Sequence, residues 1–199
     1  HVADVAVYAS QLTQLIDLDR VRPSVAPYDS DEIGFLAGTS GWVNRPERYT
    51  AWGVEADLQL FPVDGLDLFA NANVAQVLET SHAGTRPDDA TSTFKANAGA
   101  AWRSPWKLDL SASVNYVGPQ TWRLREFDAS GALVETAYDL PSRLLVHGRF
   151  AVRPTPDDRL EVSVAAWNGL ALADDRRTRE HPKGQLVGPR MTAGVSWDF

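Results

Sequence analysis

The sequence predicts an all-β protein, a transmembrane antiparallel up-and-down β-barrel of which about eight strands are present. Three observations predict it. Eight stretches alternate apolar and polar residues, and the connections between them alternate short and long. The last stretch sets Val187, Pro189, Met191, Ala193, Val195, Trp197 and Phe199 on one face against Gly188, Arg190, Thr192, Gly194, Ser196 and Asp198 on the other. A strand greasy on one side, polar on the other and closed by a terminal Phe reads as the last strand of an outer-membrane barrel.

The first strand is predicted over residues 3–16, with a long Pro-, Gly-, Ser- and Asp-rich loop over 17–46. The second, over 47–61, places Thr50, Trp52, Val54, Ala56, Leu58 and Leu60 opposite Glu55, Asp57 and Gln59. Such alternation is the period of a half-apolar strand. A tight turn, Pro62 to Gly65, leads into the third, where Leu66, Leu68, Ala70, Ala72 and Val74 oppose Asp67, Phe69, Asn71 and Asn73. After a medium loop over 80–92, the fourth sets Phe94, Ala96, Ala98, Ala100 and Trp102 against Lys95, Asn97, Gly99 and Arg103. It turns through Ser104, Pro105 and Trp106 into the fifth, with Leu108, Leu110, Ala112, Val114 and Tyr116 against Asp109, Ser111, Ser113 and Asn115. A loop over 123–134 precedes the sixth strand, whose Leu144, Val146, Gly148, Phe150 and Val152 oppose His147, Arg149 and Arg153. A turn over 154–158 leads to the seventh strand, 160–170, which opens into a charged loop before the eighth.

Composition does not separate this chain from a soluble domain: 199 residues, 44% hydrophobic and 23% charged. No apolar run of about 18 residues is present, a test that barrels escape because only alternate residues meet lipid. A net charge of -7 argues against a nucleic-acid partner, which needs clustered Lys and Arg. The absence of Cys removes disulfides, thiolate metal sites and thiol nucleophiles. The chain begins at His1 without a signal peptide, which an exported barrel needs when first made; it is expected to be a mature protein or a piece of a larger one. A soluble sandwich or lipocalin-like barrel also alternates with period two. It predicts large core residues and uniformly short loops, whereas here the apolar face is Ala-rich and Glu55, Asp57, Lys95, Arg103, Asp109, Arg149 and Arg190 fall at mid-strand on the other face.

Candidate functional residues follow from this layout. Amphipathic rings settle at membrane interfaces. Trp102, Trp106, Trp197 and Phe199 are expected in one aromatic girdle at the short-turn end, and Trp52, Tyr116, Trp122, Tyr138 and Trp167 in another at the loop end. Arg176, Arg177 and Arg179 are candidate contacts for lipopolysaccharide phosphates or another anion, which Arg binds bidentately. Glu55 and Asp57 share one strand face and are expected to pair with Lys95, Arg103 or a plug rather than to act as an acid and base. His147 is expected to be a solvated interior histidine, since no nucleophile motif surrounds it. Asp29, Asp31, Glu32, Asp88 and Asp89 are oxygen donors without the spacing of a calcium loop, and are expected to be solvated. No phosphate loop, dinucleotide turn or zinc-protease motif occurs. The expectation is therefore a protein that is not an enzyme and needs no cofactor or metal.

The segment with Asn44, then Gly53, Val54 and Glu55, then Gly65, Leu66, Asp67 and Leu68 resembles the late barrel strands of TonB-dependent receptors. Pro141, Ser142 and Arg143 entering a strand, Asn168 and Leu170 ending the next, and Pro189 and Arg190 ahead of Phe199 resemble that family's final strands. The resemblance implies the last strands of a plugged barrel of about 22 strands in the outer membrane of a Gram-negative bacterium. It implies TonB-powered uptake of a scarce nutrient such as a ferric siderophore or cobalamin. Its implied partners are outer-membrane lipid and lipopolysaccharide, the barrel-assembly machinery reading Trp197 and Phe199, a small-molecule ligand captured by the long loops, and TonB through a plug this sequence does not include. On that reading residues 1–199 are the C-terminal part of the barrel. The alternative is a small stand-alone eight-stranded barrel with a structural or adhesive role. Gly53, Gly99, Ser111, Ser113, Ser163 and Gly194 would fill its narrow interior poorly, which favours the wide barrel.

Overall fold

The structure is a computed structural model; it describes residues 1–18, 22–23, 38–39, 41–127, 133–173 and 178–198. Strand β1 (Val2–Leu12) is followed by a long excursion carrying β2 (Ile16–Leu18), β3 (Arg22–Pro23), β4 (Gly38–Thr39) and β5 (Trp42–Asn44). Then come β6 (Arg48–Val63), β7 (Leu66–Ser81), β8 (Gly84–Pro87), β9 (Phe94–Arg103) and β10 (Leu108–Val117). A hairpin of β11 (Gln120–Phe127) and β12 (Leu133–Leu140) precedes β13 (Arg143–Val152) and β14 (Leu160–Trp167). The chain continues through the single-turn helix α1 (Leu170–Ala173), β15 (Thr178–Arg179) and β16 (Leu186–Val187) to β17 (Arg190–Trp197).

Nine of these strands form one sheet, eight of them along its path in the order β1-β6-β7-β9-β10-β13-β14-β17 and β8 pairing β7 off that path, every pair antiparallel. This is the expected up-and-down meander. Its register keeps the two faces chemically separate across strand after strand. One row runs Ala3, Leu58, Ala70, Ala98, Val114 and Val146; the row beside it, on the opposite face, runs Asp4, Asp57, Asn71, Asn97, Asn115 and Leu145. Because the side-chain period is two, a slip of one residue anywhere would interleave these rows. Strands β9, β10 and β13 are each 10 residues long, within the roughly 9–11 that a tilted strand needs to cross a bilayer.

Among the described residues, nothing packs on the apolar face. Among the described residues only Val117 and Ala151 are buried hydrophobics, whereas Leu58, Val114, Phe150 and Val195 stand exposed. A soluble sandwich would cover this face with a second sheet, and the described residues supply none. The sheet is also open: β1 and β17 pair with one neighbour each. The exposure gradient records it, with Val7 at 78% and Val195 at 73% on these edge strands against 40% for Val54 and 38% for Val114 inside.

Short connections (after β6, β9 and β13) alternate with long ones (after β1, β7, β10 and β14). Each short turn contains one left-handed residue: Gly65 (φ 77°), Lys107 (φ 62°) and Asp158 (φ 59°). Gly65 lies under the Arg103 carbonyl, which an added Cβ would meet at 2.4 Å. Lys107 bears the steric cost of a side chain there, and its ammonium locks the neighbouring turn by donating to the Thr155 carbonyl at 2.7 Å and the Pro156 carbonyl at 2.9 Å and by pairing with Asp158 at 2.9 Å.

Several boundaries differ from the sequence reading. Strand β1 ends at Leu12 rather than 16, because Gln14 adopts φ 56° and the chain re-enters a separate ladder of Ile16–Leu18 with Trp42–Asn44. The seventh strand stops at Trp167, since Asn168 is left-handed (φ 51°) and donates to the Val187 carbonyl at 2.9 Å. The last strand starts at Arg190 rather than at 187: Pro189 has no N–H for the ladder, and Leu186–Val187 pairs with Thr178–Arg179. The connection read as a loop over 123–134 is largely the β11–β12 hairpin.

On the polar face two rings lie across glycines of the adjacent strand. A Cβ on Gly53 would fall 2.5 Å from the Tyr8 hydroxyl oxygen, and one on Gly99 would fall 2.5 Å from Phe69 Cζ and 2.7 Å from the Ala112 carbonyl oxygen. Gly99→Ala is expected to destabilise the folded protein by about 1–3 kcal/mol through overpacking. Adding Phe69→Ala should return only part of that loss, since the backbone clash stays; chemical unfolding of the folded protein in detergent measures both.

Candidate functional site

The polar face is a connected surface rather than a scatter of charges. The facing carboxamides Asn71, Asn97 and Asn115 form a ladder across β7, β9 and β10: Asn97 Nδ2 donates to Asn71 Oδ1 at 2.7 Å, and Asn115 Nδ2 donates to Asn97 Oδ1. Beside it, Asn73 Nδ2 donates to Glu55 Oε1 at 2.9 Å and to the Tyr8 hydroxyl at 3.2 Å. Glu55 is thus held by an amide, not by Lys95 or Arg103 as expected, because the register sets Asn73 directly opposite it. Asp57 faces Asp4 across the ladder, two like charges in a position that ordinarily disfavours pairing.

Toward the short-turn end the same face carries an ion network. Arg153 pairs with Asp109 and lies 3.6 Å from Glu161, which Arg149 contacts at 2.5 Å. With Arg103 and Ser111 these groups line an open cavity of about 400 Å³. A second cavity, of about 360 Å³, lies toward the long loops and is lined by Tyr8, Glu55, Asn73, Thr91 and Lys95 among others.

At the long-loop end the connections dock on one another. The carbonyls of Asp89 and Ala90 accept from Thr121 N (2.8 Å) and Gln120 Nε2 (2.6 Å), joining the loop after β7 to the base of β11. Arg86, paired with Glu79 at 3.0 Å, also reaches Glu135 of β12 at 3.5 Å. The loop after β14 lies against the same hairpin: Lys183 Nζ is 2.6 Å from Glu126, donates to the Tyr138 hydroxyl at 2.9 Å and stands 4.7 Å from that ring's centre. Tyr138 in turn donates to Glu126.

The bonds from Lys183 and then Tyr138 hold the Glu126 carboxyl below the usual carboxylate range, and Glu126 raises Lys183 above the ordinary lysine value. The signs agree. A depressed carboxylate favours the docked state above its free value and loses that contribution as pH falls through the docked one; the raised lysine contributes below its free value and loses it as pH rises through the docked one. In Lys183→Met the Glu126 titration midpoint is expected to move up toward the free carboxylate value, read by carboxyl-carbon NMR of the labelled protein.

The expected site residues distribute as follows. Trp52 and Tyr116 lie on the apolar face, the second beside Phe94 (5.8 Å between ring centres). Trp102 is also on that face and meets Trp106 of the short turn edge-on at 6.1 Å; Trp197 lies on it opposite Leu160. Trp167 has the opposite parity, beneath the Arg190 guanidinium at 5.2 Å, because the strand ends one residue past Ala166. Trp122 belongs to the hairpin and stacks edge-on against His181 at 4.7 Å; Tyr138 is the Lys183 partner. Arg179 donates to the Pro182 carbonyl at 3.0 Å, while Arg176, Arg177 and Phe199 lie outside the described residues, as do Asp29, Asp31 and Glu32. Asp88 caps its own turn by accepting from Ala90 N at 3.3 Å. His147 is not merely solvated: its Nδ1 accepts from Asn168 N at 3.4 Å.

The carboxamide ladder, the rings over glycines and the Glu126, Tyr138 and Lys183 cluster were not singled out from sequence. Asn spaced at 71, 97 and 115 carries no signal until register is known. Thr136, Ala137 and Tyr138 alternate visibly, and could have marked a strand.

No protein-family model matches the sequence, and neither does any curated protein. Solved structures do match. The ferripyoverdine receptor of the outer membrane of Pseudomonas aeruginosa aligns with 99% of this chain at TM-score 0.70 and 14% identity, over 25% of its own length. The FrpB iron transporter from Neisseria meningitidis aligns at 0.63 and 14%, and the outer membrane transporter YddB from Escherichia coli at 0.65 and 13%, each over 99% of this chain and over 29% and 30% of their own. The chain therefore spans between a quarter and a third of these proteins. At such identities the likeness is one of fold, and the fold is that of a portion of their barrel wall.

Proposed function

We propose that this chain is the C-terminal part of the barrel of a TonB-dependent receptor in the outer membrane of a Gram-negative bacterium. The observation that carries the reading is the open eight-stranded meander, apolar and uncovered on one face, polar on the other, which aligns along nearly its whole length with a fraction of three such transporters. Lipid covers the apolar face, and the polar face looks into the barrel, where the remainder of the protein supplies the other strands and a plug. The two open edges support this over the small stand-alone barrel, because a closed barrel leaves no strand with a free side. The function is energised uptake of a scarce nutrient such as a ferric siderophore or cobalamin, with the long loops contributing to its capture. It is transport rather than catalysis.

On this reading Trp197 and Phe199 form the signal by which the barrel-assembly machinery takes up the last strand. Arg176, Arg177 and Arg179 are outer contacts for lipopolysaccharide phosphates or an anionic ligand. Trp52, Trp102, Trp106, Tyr116, Trp122 and Trp167 are the aromatic girdle residues on this reading.

Face assignment is tested by insertion. Arg at the bilayer midplane of a barrel's lipid face costs about 2–4 kcal/mol. Val114→Arg and removal of Phe199 are each expected to lower the amount of folded, membrane-inserted protein several-fold, while Ser113→Arg on the facing parity leaves it near the parent level. Equal loss for Val114→Arg and Ser113→Arg would contradict the assignment.

Transport is tested in cells expressing the complete polypeptide. Uptake of labelled iron supplied as ferric siderophores, and of labelled cobalamin, is measured with and without the protein. Uptake of one ligand should depend on the protein and stop when the proton-motive force is collapsed. Protein-independent uptake of every ligand in such a panel would count against the receptor reading.

A further inference from the structure

Five consecutive residues, Arg179 to Lys183, make the contacts that tie the loop after β14 to its neighbours. Their partners sit on three separate strands. Glu180 pairs with Arg143 of β13 at 3.7 Å, and the Arg179 carbonyl accepts from the Arg143 guanidinium at 3.4 Å. His181 stacks on Trp122 of β11. Lys183 bridges Glu126 of β11 and Tyr138 of β12. The segment is also shaped to lie flat: Lys183 N donates to His181 Nδ1 at 3.1 Å, Gly184 N donates to the His181 carbonyl at 2.8 Å, and Pro182 is buried beneath the Arg179 guanidinium, which its carbonyl accepts.

We propose that residues 179–183 are a releasable strap, closed over the β11–β12 hairpin by the Glu126, Tyr138 and Lys183 cluster, so that two long loops move as one body when it is shut and separately when it is open. Two observations argue that it releases. Glu126 is the shared acceptor of both Lys183 and Tyr138, so loss of this one carboxylate removes two bonds at once. The strap's own charges are substantially exposed, Lys183 at 53% and Glu180 at 65%, while their partners Glu126 and Arg143 are more covered, so each pair keeps one side open to competition from water and salt. The strap is thus closed by the sum of small contacts rather than by a buried core. On the receptor reading its release would widen the approach to the polar face, but the strap itself is tested without any ligand.

These 199 residues contain no cysteine, so Gln185→Cys, exposed just past the strap, is their one bimane site; in the complete folded protein, any cysteine elsewhere is first replaced by serine. With the strap closed His181 is held against Trp122 at 4.7 Å, so a probe four residues further on should be quenched by that ring; Trp122→Phe should relieve the quenching and so identify the quencher. Glu126→Gln and Lys183→Met should each lower the closed-to-open ratio about three-fold, the size expected for an exposed pair. The exchanged pair Glu126→Lys with Lys183→Glu should restore the quenching, which a misfolded loop would not do. Parent-like emission in both single variants, or an exchanged pair no better than either single variant, would overturn the strap. Either result leaves the uptake experiment untouched, so the two readings fail separately.

Discussion

One constraint governs the molecule: a continuous antiparallel ladder must keep its two faces chemically distinct over eight strands. In-register pairing satisfies the backbone donors and acceptors strand by strand, the condition for a wall that stands in hydrocarbon, where no water is available to pair them. The same register decides everything about the side chains. Val114 shares a row with Ala98 and Val146, Asn115 shares the next with Asn97 and Leu145, and the period of two allows no compromise between them.

The short turns maintain that register. With left-handed residues at Gly65, Lys107 and Asp158, each reversal is completed in a few residues and the next strand starts in step. Lys107 goes further by tying its own turn to the one across β10 and β13, so that the short-turn end behaves as a connected rim. The long-loop end is built on the opposite plan. Its hairpin and loops dock through partly exposed ion pairs, backbone bonds and ring contacts rather than through a buried core.

Much of this was legible in the residues. All eight wall strands, their face assignments and the alternation of short and long connections follow from patterning, because a sheet with one apolar and one polar face places the two kinds of residue at alternate positions. The errors fall where patterning is silent. Gln14 and Asn168 end strands by adopting left-handed backbone, a choice made by the bonds Asn168 forms with Val187 rather than by its neighbours in sequence. Val187 looked like wall because its parity matched, yet Pro189 interrupts the ladder and Val187 serves a loop ladder instead. Trp122 pairs with Tyr138 in the β11–β12 hairpin and Trp167 falls on the parity opposite Ala166, placements that strand-end position alone does not reveal.

The sequence by itself determined the eight wall strands, which side of each is apolar and which connections are long, since each depends only on residues adjacent along the chain. Tertiary structure alone decided which strand faces which at what offset. Hence it alone could bring Asn71, Asn97 and Asn115 into one ladder, lay Tyr8 and Phe69 over glycines, leave Glu55 with an amide rather than a cation, and set Lys183 between Glu126 and Tyr138. Those partners are separated by tens of residues, and only the register, a property of paired strands rather than of any one of them, sets the distance between them.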